Sequence, residues 1–81
     1  MPEKTTQVTV STVDTIFFSG EASSVTVPGE DGEMTVLPHH SSVITPLRVG
    51  TITVRSSAGE ETFPVTKGIC EISDNQVTIL L

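Results

Sequence analysis

The sequence has no tryptophan and no tyrosine, and three phenylalanines are its only aromatic residues. A core built from it must rest mainly on Val, Ile and Leu, whose side chains bury less area each than aromatic rings. Cys70 is the single cysteine, so no internal disulfide can form, and a small domain that folds without one suits a reducing compartment. No apolar run approaches the roughly 20 residues that span a bilayer, and Met1-Pro2-Glu3-Lys4 lacks the basic-then-apolar layout of a secretory leader. These absences point to the cytoplasm. Basic residues are also scarce: four Lys and Arg stand against ten Asp and Glu, for a formal charge of −6. That sign repels phosphate backbones and anionic headgroups, so neither nucleic acid nor a membrane surface is an expected partner. At 81 residues the chain fits one small domain, 1–81, and no second.

Period-two alternation is what the sequence does have. It recurs at Gln7-Val8-Thr9-Val10-Ser11, Val25-Thr26-Val27, Thr51-Ile52-Thr53-Val54-Arg55, Thr62-Phe63-Pro64-Val65-Thr66 and Gln76-Val77-Thr78-Ile79-Leu80. Each run puts apolar side chains on one face and Thr or charge on the other, the pattern of antiparallel strands with one solvated side. The density of Val, Ile and Thr adds β-propensity. Turn signals punctuate the runs at Ser19-Gly20, Pro28-Gly29-Glu30-Asp31-Gly32, Pro38-His39-His40-Ser41-Ser42, Ser57-Ala58-Gly59 and Ser73-Asp74-Asn75. The spacing predicts an all-β fold, a flattened β-sandwich or barrel of about eight to ten short, mostly antiparallel strands. Residues 50–66 read as one hairpin and 68–81 as another. Pro28, Pro38, Pro46 and Pro64 cannot donate to a ladder, so they belong at strand ends, edges or bulges; Pro64, inside an alternating run, assigns 61–66 to an edge or bulged strand.

Catalysis needs convergent ionisable groups, and the spacing offers few. Glu30-Asp31-Gly32-Glu33 is the only dense acidic cluster; between two glycines it reads as a solvated turn, and it lacks the longer spaced oxygen pattern of a calcium loop. His39 and His40 are adjacent, and on an extended segment such side chains point to opposite faces and do not chelate one ion. Cys70, in Ile69-Cys70-Glu71-Ile72, reads as a small buried hydrophobe. There is no Gly-x-Ser-x-Gly elbow and no phosphate-cradling Gly-x-x-x-x-Gly-Lys. Thr66-Lys67-Gly68 resembles a scrambled Lys-Thr-Gly of penicillin-recognising enzymes, a fold too large for this chain. No catalytic residue, metal ligand or cofactor is expected, and the residues alone describe a small all-β interaction module.

Several segments, in order, carry a resemblance. Phe18-Ser19-Gly20-Glu21-Ala22, then Val25-Thr26-Val27-Pro28-Gly29-Glu30-Asp31-Gly32-Glu33-Met34, then Leu37-Pro38 are similar to the opening of F-type ATP synthase epsilon subunits. Leu47-Arg48-Val49-Gly50-Thr51-Ile52, Gly68-Ile69-Cys70-Glu71-Ile72 and Asn75-Gln76-Val77-Thr78-Ile79-Leu80 continue the series, so the likeness runs from Val8 to Leu80. It implies a flattened β-sandwich at the foot of a rotary central stalk, a non-catalytic rotor subunit that joins gamma to the c-ring and helps couple ion translocation to ATP synthesis. It also implies the cytoplasmic face of a bacterial inner membrane, or a plastid membrane, with attachment through the complex only. By the same resemblance Glu30, Asp31, Glu33 and His40 face the polar, Arg-bearing loops of the c-ring, and Ser11 lies near gamma.

The chain departs from the family in places. The family's Pro-Gly-His-Ala-Pro segment is written Pro38-His39-His40-Ser41-Ser42 here, and Thr35 replaces a Gly common after the acidic turn. Family members usually continue into a two-helix hairpin that can restrain ATP hydrolysis and, in some, bind ATP; this chain stops at Leu81, so that inhibition and its nucleotide site are expected to be absent. The competing readings are a β-sandwich module that recognises a peptide or sugar, which should bind an isolated ligand, and an enzyme, which should lose a defined activity on mutation of one ionisable residue.

Overall fold

Alternation becomes nine strands in a computed structural model that describes residues 4–81. Met1, Pro2 and Glu3, on which the leader reading rests, lie outside the described residues. In chain order the strands are β1 (Thr6–Ser11), β2 (Ile16–Ala22), β3 (Ser24–Gly29), β4 (Gly32–Val36), β5 (Val43–Leu47), β6 (Gly50–Ser56), β7 (Gly59–Val65), β8 (Gly68–Ser73) and β9 (Gln76–Leu80). Among the described residues there is no helix, and none is long and apolar enough to cross a membrane. The all-β expectation therefore holds, with a strand count inside the expected range.

The strands form one sheet, ordered β2-β1-β9-β8-β5-β3-β6-β7 with β4 added beside β3, and it curls into a half-barrel. One flank is β2-β1-β9-β8-β5 and the other is β4-β3-β6-β7. They fold over each other because both inner faces are apolar: Val8, Val10, Cys70, Ile72, Val77 and Ile79 from the first meet Val25, Val27, Val36, Ile52, Val54 and Val65 from the second. Burial of this kind contributes about 25 cal/mol per Å² of apolar surface and is the main favourable term in folding. Across the mouth, the rings of Phe17 and Phe18 each lie 6.4 Å from that of Phe63, an aromatic closure of β2 on β7.

Both expected hairpins form. β6 and β7 pair from Gly50↔Val65 to Ser56↔Gly59, and β8 and β9 pair from Ile69↔Leu80 to Ser73↔Gln76. Pro64 stands in β7, at the end of the strand order, as an edge strand requires. Two readings need correction. Ser19-Gly20 is not a turn: both residues lie inside β2, where Gly20 pairs with Val8. A Cβ at Gly20 would meet the Phe18 ring at 3.8 Å, an ordinary contact distance, so the strand has room for a side chain at this position. The His39-His40 segment is not extended either. His39 adopts φ 63°, and the His40 N–H donates to Leu37 O at 3.2 Å, which closes a turn between β4 and β5.

β1 and β9 pair in parallel, from Gln7↔Gln76 to Ser11↔Leu80. The start of β1 is held by Asn75, in the β8–β9 turn at φ 58°. Its Nδ2 donates to Thr5 O at 2.9 Å, its carbonyl accepts from the Thr6 hydroxyl at 2.7 Å and from Gln7 N–H at 3.2 Å, and its Oδ1 accepts His39 N–H at 2.8 Å. One turn residue thus ties the first strand and the histidine turn to the closing hairpin, and the otherwise buried hydroxyl of Thr6 is satisfied there.

Candidate functional site

The acidic turn is the tip of the β3–β4 hairpin. Gly29 pairs with Gly32, leaving Glu30 and Asp31 as a two-residue loop, and Gly32 takes φ 135°, a conformation that glycine adopts without steric cost. Glu30, Asp31 and Glu33 are all exposed, and among the described residues the one ion pair within 4.0 Å is Arg55–Glu60, at the other end of β3 and β6. The carboxylates of the tip therefore face solvent together.

The tip is tied to the body by a corner. β5 ends at Leu47, the chain turns through Arg48 and Val49, and β6 begins at Gly50. Gly29 pairs with Leu47; on either side Glu30 N–H donates to Pro46 O at 3.0 Å and Arg48 N–H donates to Pro28 O at 2.9 Å. Pro28 and Pro46, which have no N–H, still serve here through their carbonyls.

His40 is elsewhere. β4 runs away from the tip, so the histidine turn lies at its far end, about 15 Å off by strand rise. His40 is exposed and its Nδ1 is 2.8 Å from Ser41 O. Ser11 is at the same end of the strands as the acidic tip but on the other flank: register carries it from Ser11↔Leu80 through Leu80↔Ile69 to Pro46↔Ile69, one residue from the Gly29–Leu47 corner. Glu30, Asp31 and Glu33 are brought together; His40 and Ser11 are not brought to them.

The same register exposes a surface that sequence reading missed. On the outer face of the first flank, Pro46, Ile69, Leu80, Ser11 and Ile16 fall in one cross-strand row, with Ile44 beside it. Ile44, Ile69 and Leu80 are 66%, 51% and 49% exposed and line a groove with Glu71 and Thr78. The outer face of the second flank carries Thr35, Thr26, Thr53 and Thr62 in the equivalent row, with Thr26 and Thr35 hydroxyls 3.2 Å apart. One outer face thus carries an apolar row beside Glu71 and Thr78, and the other carries a row of threonines. The signal was present in Ile69-Cys70 and Ile79-Leu80, where apolar residues occupy both parities of a strand.

Cys70 faces the core, fully buried, as its apolar surroundings in the sequence imply. Burial pushes its thiol from the ordinary 9.0 up to about 11, because a thiolate loses its hydration there. A folded pKa above the unfolded one favours the folded state below pH 9.0, and that contribution is lost as pH rises through about 11. Alkylation of Cys70 by iodoacetamide at pH 8 should be at least about tenfold slower in the native protein than in urea; equal rates would mean that the strand pair around it opens freely.

Residues 5–81 match the model of the ATP synthase delta/epsilon chain β-sandwich domain. Over 77 residues the chain is 44% identical to the ATP synthase epsilon chain of Bordetella petrii and 43% identical to that of Bordetella avium, covering 94% of this chain and 55% of each relative. It thus spans about half the length of these curated relatives. The fold is also that of a chain in the cryo-EM structure of the Euglena gracilis mitochondrial ATP synthase, OSCP/F1/c-ring, with a TM-score of 0.85 at 22% identity over 99% of this chain and 51% of that one. A chain in the Tetrahymena thermophila mitochondrial ATP synthase central stalk/c-ring superposes with a TM-score of 0.78 at 17% identity, covering 98% and 65%. With the ordered motifs, the nine-stranded curled sheet and a family match over nearly its whole length, the chain belongs to the ATP synthase delta/epsilon chain family and carries its β-sandwich domain.

Proposed function

We propose that this chain is a non-catalytic rotor element of an F-type ATP synthase, one β-sandwich domain over 1–81 that joins gamma to the c-ring and helps couple ion flow to ATP synthesis. The observation that carries this reading is the asymmetry of the two outer faces. An exposed apolar row through Pro46, Ile69 and Leu80, continuous with Ser11, is a surface suited to a permanent protein partner, while the threonine row opposite suits solvent. Gamma is the partner assigned to the apolar face. A stable attachment buries on the order of 1,600 Å² in total, so the row would form the dry centre of a wider contact.

The ring-side surface then runs along the open edge of β4, with Glu30, Asp31 and Glu33 at one end and His40 at the other. β4 pairs with β3 on one side only, so its free backbone groups and the carboxylates of the tip present acceptors to the Arg-bearing polar loops of the ring. Several charge-assisted contacts at once resist slippage under torque better than one, and the curled sheet spreads load over many cross-strand bonds. The protein would sit on the cytoplasmic face of a bacterial inner membrane, held there by the complex, and would show no turnover alone.

Reconstitution with gamma and the c-ring tests this. The wild-type chain should co-purify with gamma in equal amounts, and Glu33→Lys should weaken attachment to the ring about tenfold, some 1.4 kcal/mol, while leaving the gamma contact intact. Unchanged coupling and rotor assembly in Glu33→Lys would count heavily against the ring contact, and failure to bind gamma would remove the reading altogether.

A further inference from the structure

From the corner beneath the acidic turn we infer that Arg48 is a positioning residue for that turn: it holds Glu30 by the main chain and leaves the three carboxylates free for a cationic partner. The inference rests on the ring-side reading above for the identity of that partner but not for the geometry. Arg48 is the first residue after β5, and its own N–H donates to Pro28 O at 2.9 Å, one residue before the Gly29–Leu47 pair. Its guanidinium returns to the same hairpin from outside, with Nη1 3.4 Å from the carbonyl oxygen of Glu30. The side chain thus spans the base of the turn, fastened by its backbone on one side and by its tip on the other.

What Arg48 does not do matters equally. Beside an acidic cluster, a guanidinium ordinarily pairs bidentately with a carboxylate. Here its recorded hydrogen bond goes to a carbonyl, and among the described residues no carboxylate of Glu30, Asp31 or Glu33 lies within 4.0 Å of a cation. The chain's other arginine, Arg55, is placed differently: its Nε is 3.0 Å from Glu60 Oε2, so that pair is already satisfied within the protein. Arg48 therefore ties the turn through its main chain without pairing with the three acids. The guanidinium contact is a second tie on the residue whose N–H already donates to Pro46 O at 3.0 Å, so Glu30 is held through both its N–H and its carbonyl while Asp31 has no such tie among these bonds.

Two roles for Arg48 give opposite signs. If it only screens the acids, Arg48→Ala makes the tip more negative and a cationic probe binds more tightly. If it positions the turn, the same change loosens the turn and the probe binds more weakly. The experiment uses the 81-residue chain and a disulfide-cyclised peptide bearing two arginines as the probe, at low ionic strength where such contacts are least screened. For Arg48→Ala we expect amide exchange at Glu30 and Gly32 to accelerate about tenfold while that of β1, β8 and β9 is unchanged, and peptide binding to weaken about fivefold. Arg48→Lys, which keeps a cationic donor, should recover at least about half of each loss.

Unchanged exchange at the turn, tighter peptide binding in Arg48→Ala, or no recovery in Arg48→Lys would each overturn the inference. The exchange measurement needs no partner, so a failure of the positioning role is distinguishable from a failure of the rotor reading, which would show instead as loss of binding to gamma and the ring with the turn still ordered.

Discussion

Ile52→Ala should lower stability by about 2–5 kcal/mol, because it removes a fully buried branched side chain and leaves a cavity that the sheet cannot close. Ile52 sits on β6 opposite Phe63 and belongs to the one buried cluster to which both flanks contribute. A domain of this size has a total stability on the order of 5–15 kcal/mol, so the loss is a large part of it. Thermal unfolding followed by circular dichroism should shift down by about 4–8 °C per kcal/mol lost. Val77→Ala, which removes fewer buried atoms on β9, should cost about 2 kcal/mol by the same reasoning. Thr53→Ala, one residue from Ile52 and facing outward, should stay within about 0.5 kcal/mol of wild type. If Ile52→Ala melts like the wild type, the inward face of β6 has been assigned to the wrong parity, and with it the whole core.

The second large effect is expected at the corner that carries the acidic turn. A Cβ added at Gly50 would lie 2.7 Å from Pro28 Cβ and 3.0 Å from Pro28 Cγ, well inside contact distance. The proline ring is fixed to its own backbone and cannot swing aside as the end of a long side chain would. Gly50→Ala must therefore push β3 from β6 at the point where Arg48 and Pro28 are hydrogen-bonded, at a cost of about 1–3 kcal/mol. The melting temperature should fall accordingly, and amide exchange at Arg48 should accelerate more than exchange at Ile79 on the far flank. Substitution with neither effect would mean that the corner is slack and could not hold the tip in place.

These two positions also separate what was legible in the sequence from what was not. Ile52 was readable as a core residue because it stands in Thr51-Ile52-Thr53-Val54-Arg55, where strict alternation assigns each side chain to a face. The β6–β7 and β8–β9 hairpins were readable for the same reason, with Ser-Ala-Gly and Asp-Asn turns between matched runs. Gly50 gave no such signal, since its restriction comes from Pro28, distant in the chain and brought close only by the fold. β2 was obscured by Ser19-Gly20, where the local preference for a turn lost to pairing with β1.

The candidate site divides in the same way. Residue types and spacing by themselves determined that Glu30, Asp31 and Glu33 share one hairpin tip, that the body is all-β, and that Cys70 is buried, because each depends on neighbours a few residues away. Tertiary structure alone decided that His40 stands a strand's length from that tip, that Ser11 continues an apolar row of Pro46, Ile69 and Leu80, and that Arg48 returns to the acidic turn. Each of those depends on which strand lies beside which: β1 on β9, β8 on β5, β5 on β3. A period of two records the face a side chain takes within its strand, but the neighbouring strand is chosen by the packing of the complete core, which no short stretch of sequence contains.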